Sequence, residues 1–167
     1  VGTEATSGRG RRRTRIARLF ALPEANFFVF GYLVHYPWEL LQTPLFAHLA
    51  EVPHWQGVKF CSAAALGDAL LTLVAYWIAA STDGRRWMLD LGRRAVAVYL
   101  AAGLLATVGL EWLNTTVLGR WEYSPVMPTL PLLGTGLSPL VQWILLPLLV
   151  LGIVHRQLQG ERTAHTS

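Results

Sequence analysis

The run 58–80, VKFCSAAALGDALLTLVAYWIAA, constrains this chain more than any other stretch. After Lys59 it stays apolar for about the 20 residues that a helix needs to cross a bilayer. One charge, Asp68, interrupts it. Within hydrocarbon only helices and closed barrels satisfy their own backbone, so such a run reads as a membrane helix.

Three further segments follow the same plan, and each carries one polar group: Glu39 in 26–46, Glu111 in 95–118 and Gln142 in 139–158. The fold expected is all-α, a polytopic integral membrane protein built as a four-transmembrane-helix bundle. Residues 1–18 read as a disordered basic arm, 19–158 as the transmembrane domain and 159–167 as a polar tail. Asn26 and Ser138 are expected to cap the first and last spans. Pro37 and Pro147 are expected to kink them. Composition agrees: 53% of residues are apolar and only 14% charged, against about 25% charged in soluble domains.

The net charge of +4 does not point to nucleic acid. Arg11, Arg12 and Arg13 stand in the arm, whereas phosphate-backbone binding needs a basic stripe on a folded face. There is no glycine-rich phosphate loop and no zinc-ligand spacing. A topology signal explains the arginines better. With both termini inside, twelve basic residues fall on the cytoplasmic side and only Lys59 and Arg120 fall outside, which favours that orientation in a bacterial inner membrane. The first apolar run lacks a cleavage site and reads as a retained span. The single cysteine, Cys61, excludes an internal disulfide and reads as a small buried residue. His48, Glu51 and His54 fit no metal motif, so no metal or other cofactor is expected.

The chain reverses at each span, yet the polar groups return to the same half of the membrane. At about 1.5 Å per residue, Asp68 lies about 13 Å from its span end, Glu111 and Glu39 about 10 Å, and Gln142 about 5 Å. His35 is one helical turn from Glu39 and deeper; Asn114 is nearer the mouth. Charges in hydrocarbon are expensive and mark cavities or partners. No Arg or Lys stands at this depth, so at least one carboxyl is expected to hold a proton. The bland reading is that protonated carboxyls join helices by hydrogen bonds.

Tyr36, Trp38, Trp112 and Trp143 flank the polar positions, and Thr72 lies one turn beyond Asp68. They would wall a ligand cavity or band the membrane interface. Trp55, Trp87, Trp121 and Tyr123 read as interface residues, and the proline-rich stretch 119–136 as a surface or re-entrant flap.

The phrases GDALLTLVAYW, GRWEYSPVMP and GLSPLVQW resemble those of small bacterial inner-membrane proteins of unassigned function. In size and layout the chain also resembles the four-span sterol isomerase and sigma-2 receptor group. That resemblance implies an intramembrane cavity lined by acidic residues and carries over no individual residue role.

The function expected first is an intramembrane enzyme or binding protein for a lipid-like ligand, isoprenoid or sterol-like. Glu39, Asp68, Glu111 and His35 would supply acid/base chemistry. Tyr36, Trp38, Thr72, Trp112, Asn114, Gln142 and Trp143 would hold the ligand. The alternatives are a structural or assembly subunit of a larger membrane complex, with pigment or haem binding as a sub-case, and a small proton- or cation-coupled transporter. Partners expected are membrane lipids, a lipophilic small molecule, and a protein partner or second copy.

Overall fold

The structure is a computed structural model and describes residues 19–49 and 51–164. The arm 1–18 and the last three residues of the tail lie outside the described residues. The chain is all-α and membrane-spanning. Helix α1 is Pro23–Gln42, α2 is His54–Asp83, α3 is the single turn Trp87–Asp90, α4 is Arg93–Trp112 and α5 is Leu137–Ala164. A π-helical turn, Leu113–Val117, extends α4.

Among the described residues, three helices are long and apolar enough to cross a membrane: His54–Asp83, Arg93–Val117 and Leu137–Gly160. This corrects the four-span expectation. The segment 26–46 holds α1 and a 3-10 turn, Thr43–Leu45, and falls short because it is too polar. Its buried residues include Asn26, His35, Glu39 and Gln42. With Phe27 and Gly31 they form an inward stripe at nearly every fourth residue, the positions a helix normally fills with leucine.

That stripe packs against α2, and the two helices run antiparallel. Phe27 stacks on Tyr76 at 4.8 Å, Gly31 abuts Ala69 and Thr72, and His35 faces Asp68. A Cβ added at Gly31 would stand 3.4 Å from the Ala69 Cα, in ordinary van der Waals contact with it. Small residues let membrane helices approach this closely. Helix α5 packs on α1 and α4, and α4 closes against α2.

The two ends of the bundle differ. One end carries Arg85, Arg86, Arg93, Arg94 and Arg156 near the chain reversals. Here Phe27, Tyr76, Trp87, Tyr99 and Met88 form a buried core with Val150, Val154 and Leu158. Trp87, expected at the interface, is 3% exposed because α3 folds it inward onto Phe27 and Tyr99. His155 Nδ1 donates to the Met88 carbonyl at 2.7 Å, and Tyr76 donates to the Arg85 carbonyl at 2.9 Å.

At the opposite end, the 119–136 stretch folds back over the bundle. It pairs with the end of α1 through a bridge between Phe46 and Tyr123. The Ala47 amide donates to the Glu122 carbonyl, and the Ser124 amide to the Leu45 carbonyl. The expected caps are absent at both helix starts. Asn26 lies inside α1 and donates to the Leu22 carbonyl at 2.9 Å, and Ser138 lies inside α5. Helix α5 also runs beyond the predicted span into the tail, to Ala164.

Candidate functional site

Four side chains from three helices meet at one nitrogen. The Gln142 Nε2 on α5 lies 2.8 Å from Glu39 Oε1 and 2.9 Å from His35 Nδ1, both on α1. It lies 3.0 Å from Asp68 Oδ2 on α2. His35 Nδ1 is also 3.3 Å from Asp68 Oδ2. Glu39 Oε1 and Asp68 Oδ2 thus share one donor, the Gln142 amide nitrogen.

A second ring of contacts holds these groups. Gln42 Nε2 donates to Glu39 Oε1 at 2.9 Å, and Ser138 Oγ donates to Gln42 Oε1 at 2.9 Å. Trp143 Nε1 donates to Asp68 Oδ1 at 3.3 Å. The Trp143 ring is 5.4 Å from the His35 ring and lies over Gly103. Near the end of α1 the Glu39 carbonyl accepts from Thr43 Oγ1 at 3.1 Å and from the Cys61 thiol at 3.5 Å. Last-turn carbonyls need such partners. The predicted polar residues His35, Glu39, Asp68 and Gln142 thus form one connected network.

This network borders a cavity of about 530 Å³. Its walls come from α1, α2, α4 and α5, and the flanking loops contribute Phe46, His48 and Trp121. Glu111 and Asn114 line the far wall. Glu111 is tied to the folded-back loop: its Oε2 accepts a hydrogen bond from the Tyr123 hydroxyl. Asn114 Oδ1 accepts from Arg120 Nη1 at 3.3 Å. Arg120 is thus engaged at this wall by Asn114. The π-turn sets the wall's shape, and such turns recur at functional sites. Tyr123 lies outside the spans. Its burial, and then its bond to Glu111, push its phenol above the ordinary tyrosine range.

The remaining predicted residues lie elsewhere. Tyr36 stacks on Tyr32 at 5.9 Å, away from the cavity. Trp38 is half-buried and does not line it. Thr72 is buried against Gly31 in the contact between α1 and α2. Trp112 is 55% exposed, on the outer surface of α4. Trp143 does line the cavity. Gln42, Ser138 and the tie of Tyr123 to Glu111 were not foreseen. Gln42 continues the stripe of His35 and Glu39 at helical spacing, which is a sequence signal that could have found it.

No protein-family model, curated protein or solved structure matches the chain.

Proposed function

We propose that this protein binds a proton or a small cation at the Glu39 and Asp68 pair and passes it between the membrane interior and the cavity, as a small proton- or cation-coupled transporter. The observation that carries this reading is the convergence of two carboxyls on one amide. Among the described residues, the side chains that bond them are neutral donors and one histidine. Carboxyls so placed cannot both ionise cheaply, so the pair has a standing affinity for one positive charge. The neighbouring cavity gives that charge a route to the pair.

The arginine-rich end would face the cytoplasm of a bacterial inner membrane, by the preference of Lys and Arg for that side. The cavity would then open toward the opposite face.

The test is flux in proteoliposomes loaded with a pH-sensitive dye. Glu39→Gln and Asp68→Asn should each abolish acid-driven or cation-driven flux while the protein still inserts. Flux in both variants equal to that of the unaltered protein would sink the reading.

A second reading, acid/base chemistry on a lipid-like ligand, is favoured by one specific feature. The cavity is of a size that holds small molecules, and Phe46, Phe60, Leu71 and Leu110 line it. Native mass spectrometry in nanodiscs separates the two. A retained lipophilic mass that Glu111→Gln removes would favour the ligand. A retained second polypeptide would instead favour an assembly subunit.

A further inference from the structure

The cluster contains two carboxyls, and their hydrogen bonds are not equivalent. Asp68 faces three donors: Trp143 Nε1 at Oδ1, with Gln142 Nε2 and His35 Nδ1 at Oδ2. Glu39 receives two, from Gln42 and Gln142, and both reach Oε1. Glu39 Oε2 receives no donor among the described residues. Hydrogen bonds donated to a carboxylate favour its ionised form.

The tautomer of His35 follows from the same count. The amide of Gln142 has two protons and three neighbours. If His35 Nδ1 were bare, Gln142 would leave one carboxyl oxygen unserved, and the proton would sit on Nε2. That atom is buried and has no hydrogen-bond partner among the described residues. A buried N–H without an acceptor is rarer than an unfilled acceptor. The pattern therefore assigns the proton to Nδ1, donating to Asp68, while both Gln142 protons go to the carboxyls.

We propose that Glu39 is the group that carries the exchangeable proton, held on Oε2, while Asp68 stays ionised beside it. Gln142 is the positioning residue that keeps the two roles apart. The inference rests on the proton-coupled reading above. The groups facing Glu39 are His35 and Gln42 on its own helix, Asp68 and Cys61 on α2, and Gln142 on α5. Glu111, His48 and Arg120 also line the cavity. Uptake from the cavity forms a covalent O–H bond on Oε2, which then hydrogen-bonds to the ionised Asp68. Release breaks that O–H bond, returns the proton to the cavity and leaves two carboxylates held by Gln142.

Infrared difference spectroscopy of the full chain in nanodiscs, titrated with pH, tests the assignment through the carbonyl band of a protonated carboxyl. Glu39→Gln should remove the band. Asp68→Asn should keep it but move its titration to lower pH, because the neighbouring negative charge is gone. Gln142→Leu should make the band titrate over a broader range as the two sites become alike. Should Glu39→Gln fail to fold, Glu39→Asp serves: it should shift the band's frequency, and Asp68→Glu should not. A band that survives Glu39→Gln, vanishes with Asp68→Asn, or is absent from the unaltered protein overturns the proposal. A band assigned to Glu39 in a protein without flux would overturn the transport reading and leave the assignment standing.

Discussion

The ring of Trp143 on α5 fills the space above Gly103 on α4 that any other side chain at that position would need. The same tryptophan donates its indole N–H to Asp68. A packing contact between two helices therefore positions a polar group on a third. Gly103→Ala would overlap the six-membered ring of Trp143 and push it off the site. Overpacking of this kind costs about 1–3 kcal/mol. The variant should unfold earlier on heating in detergent micelles, and its tryptophan emission should shift red. An unchanged unfolding temperature would show that α4 and α5 separate more freely than this packing allows.

Gln142→Leu tests the centre of the network directly. It removes the donor shared by Glu39 and Asp68, leaving Glu39 Oε1 with Gln42 alone and Asp68 Oδ2 with His35 alone. A hydrogen bond to a charged group contributes about 1.5–3 kcal/mol, so losing the two that Gln142 makes should cost at least as much as Gly103→Ala. Gln142→Asn, with an amide too short to reach both carboxyls, should fall between. Equal stability of the leucine variant and the unaltered protein would mean that water already serves these oxygens.

The sequence made parts of this arrangement legible for physical reasons. The runs in α2, α4 and α5 are apolar on every side, so length alone identifies them as spans. Helix α1 misleads because its polar residues are gathered on one face. Leu33 and Leu41, on the others, are 57% and 77% exposed, and averaged along the chain the segment imitates a span. His35, Glu39, Asp68 and Gln142 were visible as a group because polar residues in apolar helices are costly wherever they point. Which aromatic ring joins them was not visible. Trp112 and Trp143 each stand beside a polar position, but helix rotation sends one outward and the other over Gly103. Ser138 beside Pro139 reads as a cap from composition, while tertiary packing turns its hydroxyl to Gln42. Trp87 reads as an interface residue because its flanks are charged, and only the turn of α3 buries it.

Tyr123 ties the folded-back loop to Glu111, and its phenol ionises above the ordinary value because burial, and then the bond to Glu111, disfavour the phenolate. The sign follows. A raised folded pKa means that the folded chain holds this proton more tightly than the unfolded chain. The tie is therefore fully present below about pH 10, the unfolded tyrosine value, and fades as pH rises beyond it. Absorbance titration should show one phenol ionising later than the rest and missing from Tyr123→Phe. The same variant should exchange the Ala47 and Ser124 amide protons faster, since both bond across the loop. Unchanged exchange would show that the backbone pairing holds the loop without Tyr123.

The arginine-rich end offers a contrast between an exposed charge pair and a buried aromatic cluster. Arg85 bonds Glu24, but the Arg85 side chain is 72% exposed, and pairs in water contribute little. Arg85→Ala should leave the unfolding temperature in detergent unchanged. Trp87 is different: it is buried and packs on Phe27, Tyr76 and Tyr99. Trp87→Ala empties that volume, which costs about 3–5 kcal/mol for a buried aromatic ring. The loss should reach the carboxyl site, because Phe27 anchors the start of the helix that carries His35 and Glu39. Limited proteolysis of the two variants separates the cases. Trp87→Ala should open cleavage at Arg85 and Arg86, while Glu24→Gln, which weakens only the exposed pair, should leave those sites protected. If both variants were cut alike, the ion pair and not the aromatic core would be what holds this end of the bundle closed.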